Sequence, residues 1–358
     1  MTALRRNVIL IGDAAERLRS LPTGSVDCAA TSPPYYGLRD YDVEGQLGLE
    51  PCVDDWVNRL RLVLTDVGRV LKPTGSLWLN LGDSFSRHIR YGAPPKSLLL
   101  APERLLLALA HDGWIVRNKL VWWKPNAMPT SVADRFNLTY EVIYFLTRGP
   151  RYFFDLDAIR EPHRTLGKRR ATTSDGHERA LGPLAANRRG LDELHAVGAV
   201  GHPRGKNPGD VWSIGTCGYR DAHFATFPTR LVERPILAAC PEAVCTNCGE
   251  AWRRARVARR SSSTAPTPDT GRIPRYAKAR QTTVERGELV PCSCRATTKP
   301  GVVLDPFFGT GTIAVVAERF GRDWIGIELN PSYAAMAEER ITKARAPNPA
   351  EEPLRQAA

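Results

Sequence analysis

Long hydrophobic runs are missing from this chain of 358 residues. No stretch approaches the roughly 20 consecutive apolar residues that a membrane-spanning helix needs. Residues 1–6, Met-Thr-Ala-Leu-Arg-Arg, also lack the apolar segment of a secretory signal peptide. We therefore expect a cytoplasmic protein without a membrane partner.

A disulfide framework is a second feature that we do not expect, because thiols stay reduced in the cytoplasm. The sequence has eight cysteines, so their positions matter more than their number. Three are scattered and are expected to be small buried or surface residues: Cys28, Cys52 and Cys217. The other five lie in one region: Cys240, Cys245, Cys248, Cys292 and Cys294.

An excess of positive charge is present. The chain carries 50 Lys and Arg against 38 Asp and Glu, a formal net charge of +12. Such a surface produces a field suited to a polyanion such as DNA. The hydrophobic content of 42% is enough for one large core with inserted or appended segments.

Strand and helix patterns alternate over most of the chain. Apolar runs typical of strands and stripes at helical spacing follow one another. We predict strands at 7–12, 26–30, 76–81, 115–123, 141–147, 302–304 and 324–330, and helices at 14–21, 54–71, 98–110 and 313–320. This alternation predicts a doubly wound α/β fold with a mostly parallel sheet.

The segment Thr31-Ser32-Pro33-Pro34-Tyr35 directly follows the second predicted strand. Two prolines cannot continue a central strand, so the segment lies at its carboxyl end, where open α/β sheets bind ligands. The Ser32 hydroxyl and the Pro33 carbonyl can accept hydrogen bonds from an exocyclic base amine, which is a poor nucleophile. Pro34 stiffens the turn, and Tyr35 offers a face on which a flipped base can stack. These four residues are the predicted catalytic set.

A second segment, Asp305-Pro306-Phe307-Phe308-Gly309-Thr310-Gly311-Thr312, joins a buried strand to a helix. Gly309 and Gly311 permit positive φ and close approach of a ligand. The next strand ends in Glu328, at about the 20-residue distance where a ribose hydroxyl is usually held. The turn has neither a Gly-x-Gly-x-x-Gly nor a Gly-Lys-Ser/Thr pattern. We therefore predict a cofactor without phosphates, with its amino-acid part near Asp305 and its ribose near Glu328.

With these motifs the chain resembles the amino-group DNA methyltransferases of the β arrangement, in which the catalytic motif precedes the cofactor motif. These are the site-specific N4/N6 enzymes of restriction-modification systems. Further matching segments are Gly12-Asp13, Leu71-Lys72-Pro73-Thr74-Gly75-Ser76-Leu77-Trp78, Lys206-Asn207-Pro208-Gly209-Asp210-Val211-Trp212 and His223-Phe224-Ala225-Thr226-Phe227-Pro228. The resemblance implies a Rossmann-like S-adenosylmethionine-dependent methyltransferase acting on double-stranded DNA. It also implies a monomer or homodimer, with a cognate restriction endonuclease as a candidate partner.

The resemblance also implies roles for individual cofactor residues. Asp13 is expected at the adenine end, Asp305 and the turn through Gly309 and Gly311 at the methionine part, and Glu328 at the ribose. The remaining expected cofactor residues belong to the same strand ends: Thr31, Pro306, Phe307, Thr312 and Asn330.

The target base is left open between two amines. In the family, Ser-Pro-Pro-Tyr is more often associated with cytosine N4, and Asp-Pro-Pro-Tyr or Asn-Pro-Pro-Tyr with adenine N6. A serine hydroxyl can accept a hydrogen bond from either amine. Cytosine N4 is favoured and adenine N6 is the alternative.

A departure from the family pattern lies between Cys240-Pro241-Glu242 and the cofactor strand, where more than fifty residues intervene. They contain Cys245-Thr246-Asn247-Cys248-Gly249 and Cys292-Ser293-Cys294. Cys245, Cys248, Cys292 and Cys294 could bind a structural zinc ion in a small ribbon-like insertion, since four thiolates complete a tetrahedral site. Free structural cysteines are the alternative.

The expected domain organisation follows from these assignments. The methyltransferase domain comprises 1–155, 211–242 and the cofactor-binding part 300–344. Residues 156–210 form a basic target-recognition or flexible segment, 243–299 the zinc-ribbon insertion with a linker, and 345–358 a flexible tail. The basic segment contains Arg160, Arg164, Lys168, Arg169, Arg170, Arg188, Arg189, Arg204 and Lys206.

Three other classes of protein fit the sequence less well. A C5-cytosine methyltransferase needs a Pro-Cys nucleophile after a strand, and neither Pro51-Cys52 nor Pro291-Cys292 has that context. A protein-glutamine methyltransferase would carry asparagine in place of Ser32. A non-catalytic zinc-ribbon DNA-binding protein would leave Asp13, Asp305 and Glu328 unexplained.

Overall fold

The computed structural model describes residues 4–162, 204–216, 227–255 and 287–346. Strands and helices alternate along them. The strands are β1 (Val8–Ile11), β2 (Val26–Thr31), β3 (Leu71–Leu81), β4 (Ile115–Trp123), β5 (Tyr140–Thr147), β6 (Val211–Ser213), β7 (Val244–Cys245), β8 (Arg253–Arg254), β9 (Leu289–Val290), β10 (Thr298–Lys299), β11 (Val302–Asp305) and β12 (Asp323–Glu328). The helices are α1 (Ala14–Arg19), α2 (Val53–Val70), α3 (Ala101–His111), α4 (Thr229–Ala239), α5 (Thr312–Arg319) and α6 (Pro331–Arg345).

Within the described ranges, eight strands form one sheet in the order β1-β12-β11-β2-β3-β5-β4-β6. The pairs from β1 to β3 and the pair β4/β6 are parallel. The strand β5 is antiparallel to both β3 and β4. The predicted mostly parallel α/β sheet is therefore confirmed, with one antiparallel hairpin.

The order of the strands brings the two motifs together. The strand β11 pairs with β2, with Val303 opposite Cys28, and β12 lies between β11 and β1. Because these strands are parallel, β2, β11 and β12 have their carboxyl ends on the same side of the sheet, where the strands end. The Ser-Pro-Pro-Tyr segment and the glycine turn leave the sheet on that side.

Helix α2 covers the sheet and also supports the catalytic turn. Its buried face contains Trp56, Leu60, Leu64 and Val67, which recur at the spacing of one helical face. Trp56 is completely buried, and its indole Nε1 donates to the carbonyl oxygen of Pro34 at 2.9 Å. The packing of this helix therefore fixes the position of Pro34, the second proline of the Ser32-Pro33-Pro34-Tyr35 segment (the clamp).

The start of helix α3 differs from the sequence prediction. The apolar residues from 98 onwards predicted a helix, but the helix begins at Ala101, after Leu100 in the left-handed conformation with φ of 54°. The carboxylate of Asp83 accepts hydrogen bonds from the backbone N–H groups of Leu100 and Ala101, at 3.0 and 3.2 Å. A distant residue thus sets the first turn of this helix.

The chain divides into two units. The first comprises Met1–Asp155, Gly209–Arg253 and Pro291–Ala358, and the second comprises Leu156–Pro208 and Arg254–Val290. In the described part of the second unit, Arg160 and Arg204 both pair with Asp157, at 2.6 and 2.7 Å, and Lys206 pairs with Glu161 at 3.1 Å. These three basic residues of the predicted recognition segment therefore pair with two carboxylates, since Arg160 and Arg204 share Asp157.

The other basic residues of that segment, from 164 to 189, lie outside the described residues, as do most of the linker at 256–286 and the tail at 347–358. Helix α6 continues to Arg345, one residue into the predicted tail. Among the residues that the structure describes, no helix is long and apolar enough to cross a membrane.

Candidate active site

A cavity of about 340 Å³ opens where strands β2, β11 and β12 end. This volume is in the range of small-ligand sites. Nine of the predicted site residues line it: Asp13, Ser32, Pro34, Pro306, Phe307, Gly309, Thr312, Glu328 and Asn330. Ser32 and Pro34 thus share one cavity with the glycine turn. The other five predicted residues do not line it: Thr31, Pro33, Tyr35, Asp305 and Gly311.

A hydrogen bond joins the two motifs directly. The Thr31 hydroxyl donates to Asp305 Oδ1 at 2.6 Å, and the backbone N–H of Phe307 donates to the same oxygen at 3.1 Å. Asp305 is completely buried, and within the described part of the chain its Oδ2 has no hydrogen-bond partner. Burial, with a contribution from the charge of Glu328, raises the pKa of Asp305 to about 7. A cationic ligand group would satisfy this orphaned oxygen.

Glu328 ends β12 with both carboxylate oxygens held by backbone. Its Oε2 accepts from the N–H of Gly309 at 2.7 Å, and its Oε1 accepts from the N–H of Asn330 at 2.8 Å. Burial raises its pKa above the usual value. Each carboxylate oxygen has a further lone pair, so this wall of the cavity can accept hydrogen bonds from a diol.

The two glycines of the turn have different tasks. Gly309 and Gly311 both have positive φ, 53° and 76°. A Cβ on Gly309 would meet nothing within 4 Å, whereas one on Gly311 would lie 3.1 Å from the Cβ of Ala337 and 3.3 Å from the ring of Phe308. Gly311 therefore allows helix α6 to pack closely, while Gly309 leaves the cavity clear beside Glu328.

Asp13 follows β1, whose end pairs with Glu328 of β12, and it lines the same cavity. Its Oδ1 accepts from the backbone N–H of Glu16 at 3.0 Å and so caps helix α1. Tyr41 and Tyr333 line the same cavity with their rings edge to face, with centroids 6.3 Å apart. Neither tyrosine was predicted from the sequence, because aromatic residues in a loop and in an ordinary helix carry no motif that marks them.

The catalytic segment is linked to two residues that the sequence analysis also missed, Asn80 and Glu141. The Ser32 hydroxyl lies 2.9 Å from the Tyr35 hydroxyl, which donates to Glu141 Oε2 at 2.7 Å. Asn80 Nδ2 donates to the Tyr35 hydroxyl at 2.6 Å. A polar residue inside the apolar run Leu77-Trp78-Leu79-Asn80-Leu81 was the available signal for Asn80.

The ring of Tyr35 packs against backbone. A Cβ on Gly82 would lie only 2.8 Å from Tyr35 Cε2, so the ring edge occupies the space that a side chain would need. The stacking role of Tyr35 remains a prediction, and the structure adds a hydrogen-bonding role for its hydroxyl.

The four predicted metal ligands come together. The Sγ atoms of Cys245, Cys248, Cys292 and Cys294 all lie within 4.8 Å of one another. Tetrahedral zinc with Zn–S bonds of about 2.3 Å places its sulfur ligands roughly 3.8 Å apart, so the cluster has a suitable size. Backbone N–H groups, chiefly that of Cys248, lower the pKa of Cys245 to about 6, whereas burial and hydrogen bonds to the neighbouring thiols raise the pKa of Cys248 to about 12. Cys245 is therefore the first thiol of this pair to become the thiolate that a metal requires.

Two tight turns present these thiols. The N–H of Gly249, with φ of 72°, donates to the Cys245 carbonyl oxygen at 3.0 Å, and the N–H of Arg295 donates to that of Cys292 at 3.1 Å. The antiparallel pair β7/β10 joins the base of the two turns, with Cys245 opposite Thr298. The insertion thus has two cysteine turns on a short ribbon.

Comparison with known proteins decides the family. Residues 26–245 and 289–339 match the N6/N4 methyltransferase family model, which is described as DNA methylase. The chain belongs to this DNA methylase family. The expected family is therefore confirmed, and DNA is the substrate of this DNA methylase. The gap in the match, at 246–288, lies within the cysteine-containing insertion.

Curated relatives match nearly the whole chain. Type II methyltransferase M.Cfr9I of Citrobacter freundii is 34% identical over 92% of this chain and 86% of its own length. Type II methyltransferase M.SmaI of Serratia marcescens is 32% identical over 96% of this chain and 93% of its own.

Solved structures share the fold of this DNA methylase. The PvuII DNA methyltransferase, described as cytosine-N4-specific, has a TM-score of 0.54 at 18% identity and covers 96% of this chain and 92% of its own. The protein TTHA0409 of Thermus thermophilus, in complex with S-adenosyl-L-methionine, has a TM-score of 0.50 at 20% identity, with 95% of each chain covered. These likenesses agree with a Rossmann-like methyltransferase fold.

Proposed function

We propose that this DNA methylase transfers a methyl group from S-adenosylmethionine to N4 of cytosine at a specific site in double-stranded DNA. The observation that carries the proposal is the position of Ser32, which lines the same cavity as the glycine turn and Glu328. An acceptor for a base amine and a pocket for the methyl donor thus meet in one space. The formal charge of +12 suits a DNA substrate.

The residues of the cavity fit the methyl donor. Asp305 does not itself line the cavity, but it lies directly before Pro306, which does line it, and its buried Oδ2 lacks a partner among the described residues. This oxygen would accept from the amino group of the methionine part. Glu328 would accept from the ribose hydroxyls, and Tyr41 and Tyr333 supply an aromatic wall for an adenine ring. TTHA0409, which shares the fold, was solved with this molecule bound.

The clamp activates the amine by position and hydrogen bonding. When bound, S-adenosylmethionine supplies an electrophilic methyl group, whose C–S bonding pair stays on sulfur as the nitrogen lone pair forms the new C–N bond. Ser32 Oγ and the Pro33 carbonyl oxygen accept from the two amine N–H groups and favour a more tetrahedral nitrogen. The nitrogen then loses one proton to water, because a serine hydroxyl is too weak a base to keep it.

The choice of cytosine over adenine rests on the serine of the clamp. Ser-Pro-Pro-Tyr is more often associated with cytosine N4 in the family that the chain resembles. The PvuII enzyme, described as cytosine-N4-specific, supports the same base.

The direct test is to incubate the purified protein with tritiated S-adenosylmethionine and unmethylated genomic DNA, digest the DNA, and identify the labelled nucleoside. Label in N4-methylcytosine is the expected result. Label in N6-methyladenine would keep the amine chemistry and overturn the base. No label in DNA would overturn the proposal.

Replacement of Glu328 by Ala should raise the dissociation constant for S-adenosylmethionine at least several-fold, because the ribose loses its carboxylate acceptor. Isothermal titration calorimetry measures this constant. Glu338→Ala, on the exposed side of helix α6, is the matched control and should bind like the wild type. An unchanged constant in the Glu328 variant would remove this residue from the ribose site.

We also propose that the cysteine cluster binds one structural zinc ion. Four thiolates leave no open position for substrate, so the ion would hold the insertion together without a catalytic role. Purified protein should contain about one zinc per chain by mass spectrometry of metals. Chelation or Cys248→Ser should remove the metal and increase proteolysis of residues 243–299, whereas Cys52→Ser should retain it. Protein without stoichiometric zinc would contradict this assignment.

The type II methyltransferases among the relatives support a role in restriction and modification. We propose a cognate restriction endonuclease as the functional partner. DNA that this enzyme has methylated should resist cleavage by that nuclease, and cleavage at every site would exclude the pairing.

A further inference from the structure

The hydroxyl of Tyr35 lies at the centre of a hydrogen-bond network beside Ser32. It contacts Ser32 Oγ at 2.9 Å, Glu141 Oε2 at 2.7 Å and Asn80 Nδ2 at 2.6 Å. Asn80 Nδ2 also donates to Glu141 Oε2 at 2.7 Å. The Ser-Pro-Pro-Tyr segment is therefore hydrogen-bonded to a carboxylate from another part of the chain.

A count of protons gives this network a direction. Tyr35 has one hydroxyl proton, and the carboxylate of Glu141 can only accept. Because the proton of Tyr35 is donated to Glu141, the hydrogen bond between Tyr35 and Ser32 must have Ser32 as the donor. The hydroxyl proton of Ser32 then points towards Tyr35.

This direction determines what Ser32 can offer to a base. With its proton directed at Tyr35, Ser32 Oγ keeps its two lone pairs for other donors. Asn80 Nδ2 lies 3.3 Å from this oxygen, but its two N–H groups already donate to Tyr35 and Glu141 at shorter distances. A lone pair of Ser32 is therefore available to an amine N–H. If Tyr35 instead donated to Ser32, the serine proton would be free to point at the amine and repel it.

Lys124 supplies the counter-charge to Glu141. Its ammonium donates to Glu141 Oε1 and lies 4.6 Å from the centroid of the Trp122 ring. The side chains of Lys124 and Glu141 are only 20% and 14% exposed, so the pair is sheltered from water and salt. Burial, with the charge of Glu141 next in importance, raises the pKa of Tyr35 well above its usual value, so the phenol keeps its proton.

The sheet fixes the members of the network. Asn80 on β3 lies opposite Ile143 of β5, and Glu141 on β5 lies opposite Trp122 of β4. The absent side chain of Gly82 lets the Tyr35 ring approach the backbone at the end of β3. Asn80 and Glu141, on the adjacent strands β3 and β5, therefore hold the hydroxyl of Tyr35, which lies with Ser32 in the turn after β2.

We propose that Glu141 is a positioning residue for methyl transfer, which acts through Tyr35 to orient the Ser32 hydroxyl as an acceptor for the target amine. The proposal rests on the proposed function, because it assigns to Glu141 the task of orienting the clamp that holds the amine. Glu141 and Tyr35 form no bond to the substrate, and the proton of the methylated nitrogen still leaves to water.

The test is a double-mutant cycle on the full-length enzyme with Tyr35→Phe and Glu141→Gln. Phenylalanine removes the hydroxyl oxygen of Tyr35 and keeps the ring. The amide of a glutamine at position 141 can donate to Tyr35 and so reverse the direction of the hydrogen bonds between Ser32, Tyr35 and residue 141. Each variant should lower kcat about tenfold. The KM for DNA and the dissociation constant for S-adenosylmethionine should change less than twofold, which a general loss of structure would not allow.

The double variant shows whether Tyr35 and Glu141 act together or contribute to catalysis independently of each other. Because both changes break the same path of hydrogen bonds, the double variant should have a kcat no lower than that of the slower single variant. Tyr140→Phe, at an exposed tyrosine next to Glu141, and Glu103→Gln, which alters a surface pair with Lys119, are matched controls and should retain the wild-type kcat.

Two results would overturn the inference: a wild-type kcat in Tyr35→Phe or in Glu141→Gln, or losses that multiply to about a hundredfold in the double variant. Failure of the proposed function would be recognised in the wild-type enzyme itself, which would then place no label in DNA or would place it in N6-methyladenine. If Ser32→Ala lost activity while Tyr35→Phe and Glu141→Gln kept full activity, Ser32 would keep its role at the amine. The action of Glu141 through Tyr35 would be rejected.

Discussion

Ser32→Ala should methylate DNA about 100- to 1,000-fold more slowly than the wild type at saturating S-adenosylmethionine. The loss has the size found when one preorganised hydrogen-bonding group is removed from a reacting centre. Ser32 touches the amine in the proposed mechanism, whereas the cofactor contacts are made by other residues. Single-turnover kinetics measures the methylation rate, and the dissociation constant for the cofactor should remain within twofold of the wild-type value.

Ser97→Ala serves as the control for the serine substitution. Ser97 is exposed, and its hydroxyl donates to the carbonyl oxygen of Leu98 in the loop before helix α3. This variant should methylate at the wild-type rate. An active Ser32→Ala enzyme would show that the amine is held by the Pro33 carbonyl and other groups, and that the serine is dispensable.

Asp305→Asn should weaken binding of S-adenosylmethionine about 30- to 150-fold at pH 8. A charge-assisted hydrogen bond contributes about 2–3 kcal/mol, and 1.4 kcal/mol corresponds to a factor of ten. The effect arises because Asp305 Oδ2, buried and without a partner in the described residues, would lose its charge towards the amino group. Asp54→Asn, at an exposed pair with Arg104, is the control and should bind normally.

The pH dependence of this binding has a defined sign. The pKa of Asp305 is raised to about 7, so the carboxyl group is charged above this pH and becomes neutral below it. Wild-type affinity should therefore fall as pH decreases from 8 to 6, by about tenfold if the neutral form does not bind. Asp305→Asn should lose this dependence, and a wild-type constant that stays flat would reject the ion pair.

The same substitution should stabilise the protein without its cofactor. Because the folded-state pKa is raised, the folded protein disfavours the carboxylate, and this penalty is complete above pH 7 and absent below about pH 4. At pH 8 the melting temperature of unliganded Asp305→Asn should thus exceed that of the wild type. Opposite effects on stability and binding distinguish a ligand-binding residue from a structural one.

The sequence alone was enough to predict which segments lie at the carboxyl ends of the strands. The apolar runs that became β2 and β11 end at Thr31 and Asp305, where polar or proline residues interrupt them. Such local signals predicted both motifs and their placement at strand ends. The parallel register then produces the hydrogen bond between Thr31 and Asp305.

What the sequence could not show depends on pairing between distant segments. The neighbours of Tyr35 are Asn80 and Glu141, and they meet because β3 and β5 run side by side. No period or motif in the linear chain encodes that register. The pairing of Arg204 with Asp157 is another long-range contact, which the basic composition of the target-recognition or flexible segment could not predict.

The strand order also has a consequence for folding. The strands β11 and β12 lie between β1 and β2 in the sheet, although they are separated from both along the chain by about three hundred residues. During synthesis β1 and β2 must therefore wait with unpaired edges, which are sites for wrong strand pairing. Contacts of such sequence separation also slow folding. Assembly of the sheet, and with it of the methyl-transfer cavity, is in this way a late event.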